Sequence, residues 1–297
     1  MYPRAGAAPR GVSELDACMW RVSSDTSPGE PQRYRAPVPS RVSSWLTPAA
    51  WVAAVTAALL LVFPVGFPNY DTIYALVWGR ELAHGVSPDY GSALPPTPHP
   101  LTDLIGLVTT PLGDGAITVT MVIAYASLGL IGFFVYRLGS LWFDRWIGAV
   151  AAAIVLTRAP FLSNGLRAYI DLPYIALCLA ALTVEARRPR AGWPVLALLA
   201  PAGLLRPEAW LFAGVYWLYL AFNWGSMGRF RDTWSRNRPI DRLLRGERSG
   251  RELVWLALLG AAGPVLWVLF DAITTGDALY SLTGTQETVE TLKRHTG

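Results

Sequence analysis

The chain has 297 residues, 53% of them hydrophobic and only 15% charged, with 13 Trp and a formal net charge of +4. An ordinary globular chain carries about 25% charged residues, so this one lacks the polar surface to enclose a soluble core. Disorder, a collagen-like repeat and a disulfide scaffold are excluded as whole-chain readings by a mean hydropathy of +0.33 and two cysteines, and the composition predicts an all-α polytopic transmembrane helical bundle.

Residues 1–44 are rich in Pro, Ser and Arg and contain no apolar core. They are expected to form a disordered cytoplasmic tail rather than a signal peptide. A helix rises about 1.5 Å per residue, so about 20 apolar residues cross the hydrocarbon core. Residues 45–65 are the first such run. Residues 66–100 follow as a long loop with six prolines. Within it Tyr74, Trp78 and Leu82 recur at helical spacing and predict an amphipathic helix over 71–83. Further apolar runs lie at 117–136, 146–156 (extending toward 161), 170–184, 192–205, 209–222 and 253–270. That makes about seven expected spans, the short ones needing neighbouring helices or a thinned bilayer. Residues 45–272 thus read as the transmembrane domain. Residues 273–297 read as an extracytoplasmic segment that opens a further, missing part.

With the tail placed inside, 19 of the 25 Lys and Arg fall on one side: six in the tail, two at 137–145, three at 187–190 and eight at 223–252. The positive-inside rule then predicts a multi-pass plasma-membrane protein with a cytoplasmic N-terminus. Trp45, Trp142, Trp146, Trp193, Trp224 and Trp255 gather near the expected inner ends, as an interfacial belt does. The basic 223–252 loop therefore reads as orientation charge in contact with membrane lipids, and no nucleic-acid partner is expected. Cys18 and Cys178 fall in separate environments, so no disulfide is expected, and no CxxC or Cys/His cluster suggests zinc.

Three acids fall on the outer side: Asp71, Asp171 and Glu208. Acids at a membrane boundary are costly unless solvated or paired. Arg167 precedes Asp171 by four residues, a spacing at which two side chains share a helix face, and Arg206 precedes Glu208 by two. Each acid also has a structural reading. Asp71 suits an N-cap, Asp171 a pair with Arg167, and Glu208 the first position after Pro207, where it meets the helix dipole. Asp89 and Asp103 read as turn and cap residues, His99 as a solvated loop residue among prolines, and Tyr74 and Trp78 as interfacial anchors.

The order of these features resembles the N-terminal half of GT-C-fold membrane glycosyltransferases, the group that includes protein O-mannosyltransferase-like and aminoarabinose transferase-like enzymes. The residues that carry the resemblance are Asn69, Tyr70, Asp71, Tyr74, Gly79, Arg80, Glu81 and Gly85 in the first outer loop, Arg167, Asp171 and Pro173 ahead of a later span, and the turn Arg206-Pro207-Glu208. It covers roughly residues 45–270. It implies an inverting transfer of sugar from a polyprenyl-phosphate-linked donor to an acceptor hydroxyl on the extracytoplasmic face. Asp71 would be the general base. Asp171 and Glu208 would bind sugar hydroxyls, orient substrate or hold a divalent cation, Mg or Mn, through oxygen ligands. Arg167 or Arg206 would receive the lipid phosphate, and Arg80, Tyr74 and His99 would complete the substrate-contacting set. Family members commonly have more than seven spans and a C-terminal soluble domain, so a truncated or N-terminal-half member is expected. Two other readings stand beside it: a transporter or flippase-like carrier, suggested by Pro- and Gly-interrupted spans, and a non-catalytic truncated paralogue.

Overall fold

A computed structural model describes residues 41–90, 95–222 and 249–284, with side chains from residue 48 onward. The chain divides into Met1–Ser44 and Trp45–Gly297. Of the first unit only the beginning of a helix is described, and the expected disorder of 1–40 lies outside the described residues, as do most of the basic loop (223–248) and the last residues (285–297).

Every regular element among the described residues is helical. In chain order they are α1 (Arg41–Val62), α2 (Tyr70–Ala83), α3 (Pro100–Thr109) with a 3-10 turn at Thr110–Leu112, α4 (Gly115–Trp142), α5 (Arg145–Thr157), α6 (Ala159–Leu166), α7 (Asp171–Arg187), α8 (Trp193–Gly203), α9 (Glu208–Ala221), α10 (Gly250–Gly260) and α11 (Ala262–Thr275). The tail reading ended at residue 44, but α1 already begins at Arg41.

The number of spans differs from expectation. Among the described residues α4 alone is long and apolar enough to cross a membrane. The pairs α5–α6 and α10–α11 reach that length only if each is one span, bent by 54° and 44°. The helix lengths therefore support up to three spans, where the sequence reading expected seven. The cause is local. Apolar runs that looked continuous are broken at Arg158 and at Ala261, and α8, with 11 residues, rises only about 16 Å against the ~30 Å of a hydrocarbon core.

Two packed clusters hold the helices. Met121, Tyr125, Leu128 and Ile131 of α4 meet Leu172 and Ala176 of α7. Val195, Leu196 and Leu199 of α8 meet Ala213 and Leu220 of α9 and Leu256 of α10. Large apolar side chains such as Val150, Leu211, Val215, Leu258 and Ile273 remain exposed around them. Small residues set two of the helix contacts. A Cβ on Gly139 of α4 would lie 2.7 Å from Gly148 Cα of α5, and one on Gly79 of α2 would lie 2.3 Å from the Leu107 nitrogen of α3. Glycine lets these backbones touch, which is how helices associate where solvent supplies little hydrophobic drive.

The α7–α8 turn is built round Glu185. Its carboxylate accepts from the Arg190 amide at 2.6 Å, the Ala191 amide at 3.2 Å and the Tyr216 hydroxyl at 2.6 Å. Arg190 adopts φ 62 and donates to the Leu220 carbonyl at 2.6 Å. Orphan backbone donors at a helix junction are satisfied here by one half-buried acid.

Candidate active site

Three helix starts converge, and each brings one of the acids read from the sequence. The start of α2 is capped by Asn69, whose Oδ1 accepts from the Thr72 amide at 3.0 Å. Asp71 therefore does not cap the helix, as its identity had suggested. It stands in the first turn, with the Asn69 amide donating to its Oδ2 at 3.3 Å. The approach to α2 is stitched to the α6–α7 turn by three bonds: the Phe67 amide to the Leu166 carbonyl at 2.8 Å, the Asn69 amide to the Arg167 carbonyl at 2.7 Å, and the Thr72 hydroxyl to the Ala168 carbonyl at 2.8 Å. Ala168 takes φ 52, a left-handed conformation that costs a non-glycine residue about 1–2 kcal/mol. The bond from Thr72 holds it there. This turn places Asp171, the first residue of α7, beside Asp71.

The third start is α9, with Glu208 as its first residue behind Pro207. Arg206, in the preceding turn, forms ion pairs with both Asp171 and Glu208, the latter at 3.1 Å. Asp171 was expected to pair with Arg167, but the chain turns between the two residues, so they do not share a helix face. Among the described residues Arg167 joins no ion pair. It contributes its carbonyl to the cap of α2 instead.

The electrostatics follow from this placement. Asp71 is half-buried, and its carboxyl is held above the usual aspartate range, first by burial and then by the Asp171 charge, with Arg206 and the Asn69 amide pulling the other way. His99, expected to be a solvated loop residue, is the cap position of α3. Its Nδ1 is buried without a partner, and its ring meets Trp267 edge-on with centroids 5.6 Å apart. Burial, and then the nearby Arg206 charge, push it down to about 4, so it is neutral at pH 7.

The other expected contacts are scattered. Tyr74 packs between Tyr70 and Trp78, centroids 4.9 and 5.2 Å away. Trp78 is a core residue with 2% exposure rather than an interfacial anchor. Arg80 is exposed, nine residues beyond Asp71, which is about 13 Å along the helix. Asp103 is not a surface cap. It is fully buried and its Oδ2 accepts from the Tyr90 hydroxyl at 3.3 Å. Reading the sequence missed Tyr90, Asp103, Trp267, Asp271 and Ser281 as interacting groups. The available sign was the acid within PLTDLIGLVT, an apolar setting with no nearby cation.

Beside the charged cluster lies an apolar cavity of about 220 Å³ between α2, α3, α4 and α7. Leu76, Ile105 and Leu177 line it. So do Thr72, Ile170 and Leu205, the immediate neighbours of Asp71, Asp171 and Arg206. The lining is almost wholly apolar, and the charged side chains stand on residues next in sequence to it.

Among the described residues no group of three or more His, Cys, Asp or Glu is arranged to hold a metal ion. Asp171 and Glu208 each direct a carboxylate oxygen at Arg206, so guanidinium, not a set of oxygen ligands, organises this cluster. No family profile, curated protein or solved structure matches the chain.

Proposed function

We propose that this protein is a membrane glycosyltransferase of the GT-C type, acting on a polyprenyl-phosphate-linked sugar at the extracytoplasmic face of the plasma membrane. The observation that carries the reading is the nearness of a charged cluster to a hydrocarbon cavity: Arg206, paired with Asp171 and Glu208 and close enough to influence Asp71, directly follows Leu205, which lines the apolar space bounded by α2, α3, α4 and α7. An isoprenoid suits the cavity and a phosphate suits the guanidinium.

In this scheme the acceptor O–H gives its proton to the Asp71 carboxylate as its oxygen bonds to sugar C1. The bond from C1 to the phosphate oxygen breaks on the opposite face. The lipid phosphate keeps that electron pair, so the anomeric centre inverts. Arg206 stabilises the added negative charge on the departing phosphate. Asp171 and Glu208 hold the guanidinium in place. A carboxylate made more basic by partial burial is better matched to proton abstraction near neutral pH.

A carrier would build its site at the bilayer midplane from broken helices, so the depth in the membrane of Asp71, Asp171 and Glu208, each in the first turn of its helix, separates that reading from transfer at the outer face.

The test is turnover by the purified chain in proteoliposomes with a panel of synthetic polyprenyl-phosphate sugars and a mixture of glycan and peptide acceptors. Release of polyprenyl phosphate is expected with at least one donor. Asp71→Asn is expected to reduce it by about 10²–10⁴-fold, the usual range for loss of a general base. Undiminished turnover by Asp71→Asn would remove Asp71 as the base, and no release from any donor would remove the reaction.

A further inference from the structure

His99, at the start of α3, contacts Trp267 of α11. One helical turn further along each helix, Asp103 and Asp271 are both buried, with 0% and 2% exposure. They are close enough that the charge of Asp271 acts on Asp103. The Tyr90 hydroxyl donates to Asp103 at 3.3 Å, and the Thr274 hydroxyl faces the same phenol. Asp271 accepts from the amide and hydroxyl of Ser281 at 2.9 and 2.8 Å. Tyr280 donates to the Tyr90 carbonyl at 2.7 Å. The segment 277–284 is thus fastened across the Tyr90 loop through two buried acids.

Two buried carboxylates whose charges act on each other, with no ion pair to either among the described residues, cannot both be ionised cheaply. The groups facing Asp103 offer no compensation. The loop gives Tyr90, α11 gives Asp271 and Thr274, the 277–284 segment adds Asp277, which acts on Asp271, and α2 gives Trp78 and Gly79. The cavity wall from α4 is Thr120, Ile123 and Ala124. Arg206 acts on His99, one turn away. Asp103 Oδ1 has no hydrogen-bond partner among the described residues.

We infer that Asp103 and Asp271 form a proton-held clasp, which keeps the 277–284 segment on the Tyr90 loop and seats His99 against Trp267 beside Arg206. Asp103 is in this sense a positioning residue, and the inference stands whether or not the protein transfers sugar. Burial, and the charge of Asp271, hold the Asp103 carboxyl well above the ordinary aspartate range, against the opposing effect of the Tyr90 hydrogen bond. The clasp is therefore complete below about pH 4, where the unfolded aspartate is also protonated, and is lost as pH rises through the raised folded value.

Hydrogen–deuterium exchange of the full chain in lipid nanodiscs tests this. After correction for the intrinsic rate, protection of the 277–284 amides should fall ~10-fold or more between about pH 5 and about pH 9, since one pKa unit corresponds to a tenfold change in population. Asp103→Asn keeps the side chain's shape and cannot ionise, so its protection should stay within about twofold over that range. Protection that is flat with pH in the unaltered chain would overturn the clasp, and this holds even if the variant does not fold. An Asp103→Asn profile as steep as that of the unaltered chain would also overturn it.

Discussion

Asp71 is the residue on which the chemistry turns, and its surroundings make a signed prediction. The Arg206 charge and, less strongly, the Asn69 amide lower its proton affinity, against burial and Asp171. Removing either lowering influence should raise Asp71 further, so a base that must be ionised becomes active only at higher pH. The acid limb of the pH–rate profile is expected to move to higher pH in Asn69→Ala and further in Arg206→Gln. Arg206→Gln should also raise KM for the lipid donor, which Asn69→Ala should not. Limbs that coincide with that of the unaltered chain in both variants would show that another group takes the proton in the proposed transfer. All four members of the cluster, Asp71, Asp171, Arg206 and Glu208, were legible as residues, because acids beside an apolar run need a partner. Which cation served Asp171 was not legible. Spacing pointed to Arg167, but that inference assumes an unbroken helix, and the turn through Ala168 at φ 52 separates the pair.

At the scale of elements, α2 was legible almost to the residue. Its apolar spacing gave 71–83 and the helix runs Tyr70–Ala83. The face it buries was only partly so, since Thr72, Ala75, Trp78 and Gly79 turn inward and only Trp78 belongs to the stripe read from the sequence. Helix α3 was missed because prolines precede it and its partner is another short helix, and no local pattern records a contact of that kind. The contact itself depends on two glycines. A Cβ on Gly79 would meet α3 backbone at 2.3 Å, and one on Gly106 would meet the Ala75 carbonyl at 2.4 Å. Both neighbours are main chain and cannot rotate away. Gly79→Ala is therefore expected to cost about 1–3 kcal/mol, the usual range for overpacking, and more than Gly214→Ala, where a Cβ meets nothing within 4 Å. Gly214→Ala in the interior of α9 should be neutral or slightly stabilising, because alanine is the better helix former. Thermal unfolding in detergent measures both, and equal losses would mean that α2 and α3 are not in contact as described.

For the molecule as a whole, composition gave the helical class, and the described helices agree with it. The count of spans was not legible, because hydropathy sums residues without registering where the chain turns. The breaks at Arg158 and Ala261 bend runs that read as continuous, whereas the break at Arg206 was already visible as Arg206-Pro207-Glu208, and it is this one that holds the site. The same interruption that shortens a span thus exposes a turn where Arg206 meets acids from α7 and α9. The central claim is that this ionic turn and the apolar cavity beside it bind one amphiphile. The most direct measurement is photo-crosslinking of the chain in nanodiscs with a polyprenyl-phosphate analogue carrying a diazirine near the phosphate, read by peptide mass spectrometry. Labelling is expected at Leu76, Ile105 and Leu177, with competition by unlabelled polyprenyl phosphate and strong reduction in Arg206→Gln. Labelling spread over exposed apolar positions such as Val150, Leu211 and Leu258, unaffected by competitor or by Arg206→Gln, would contradict the account.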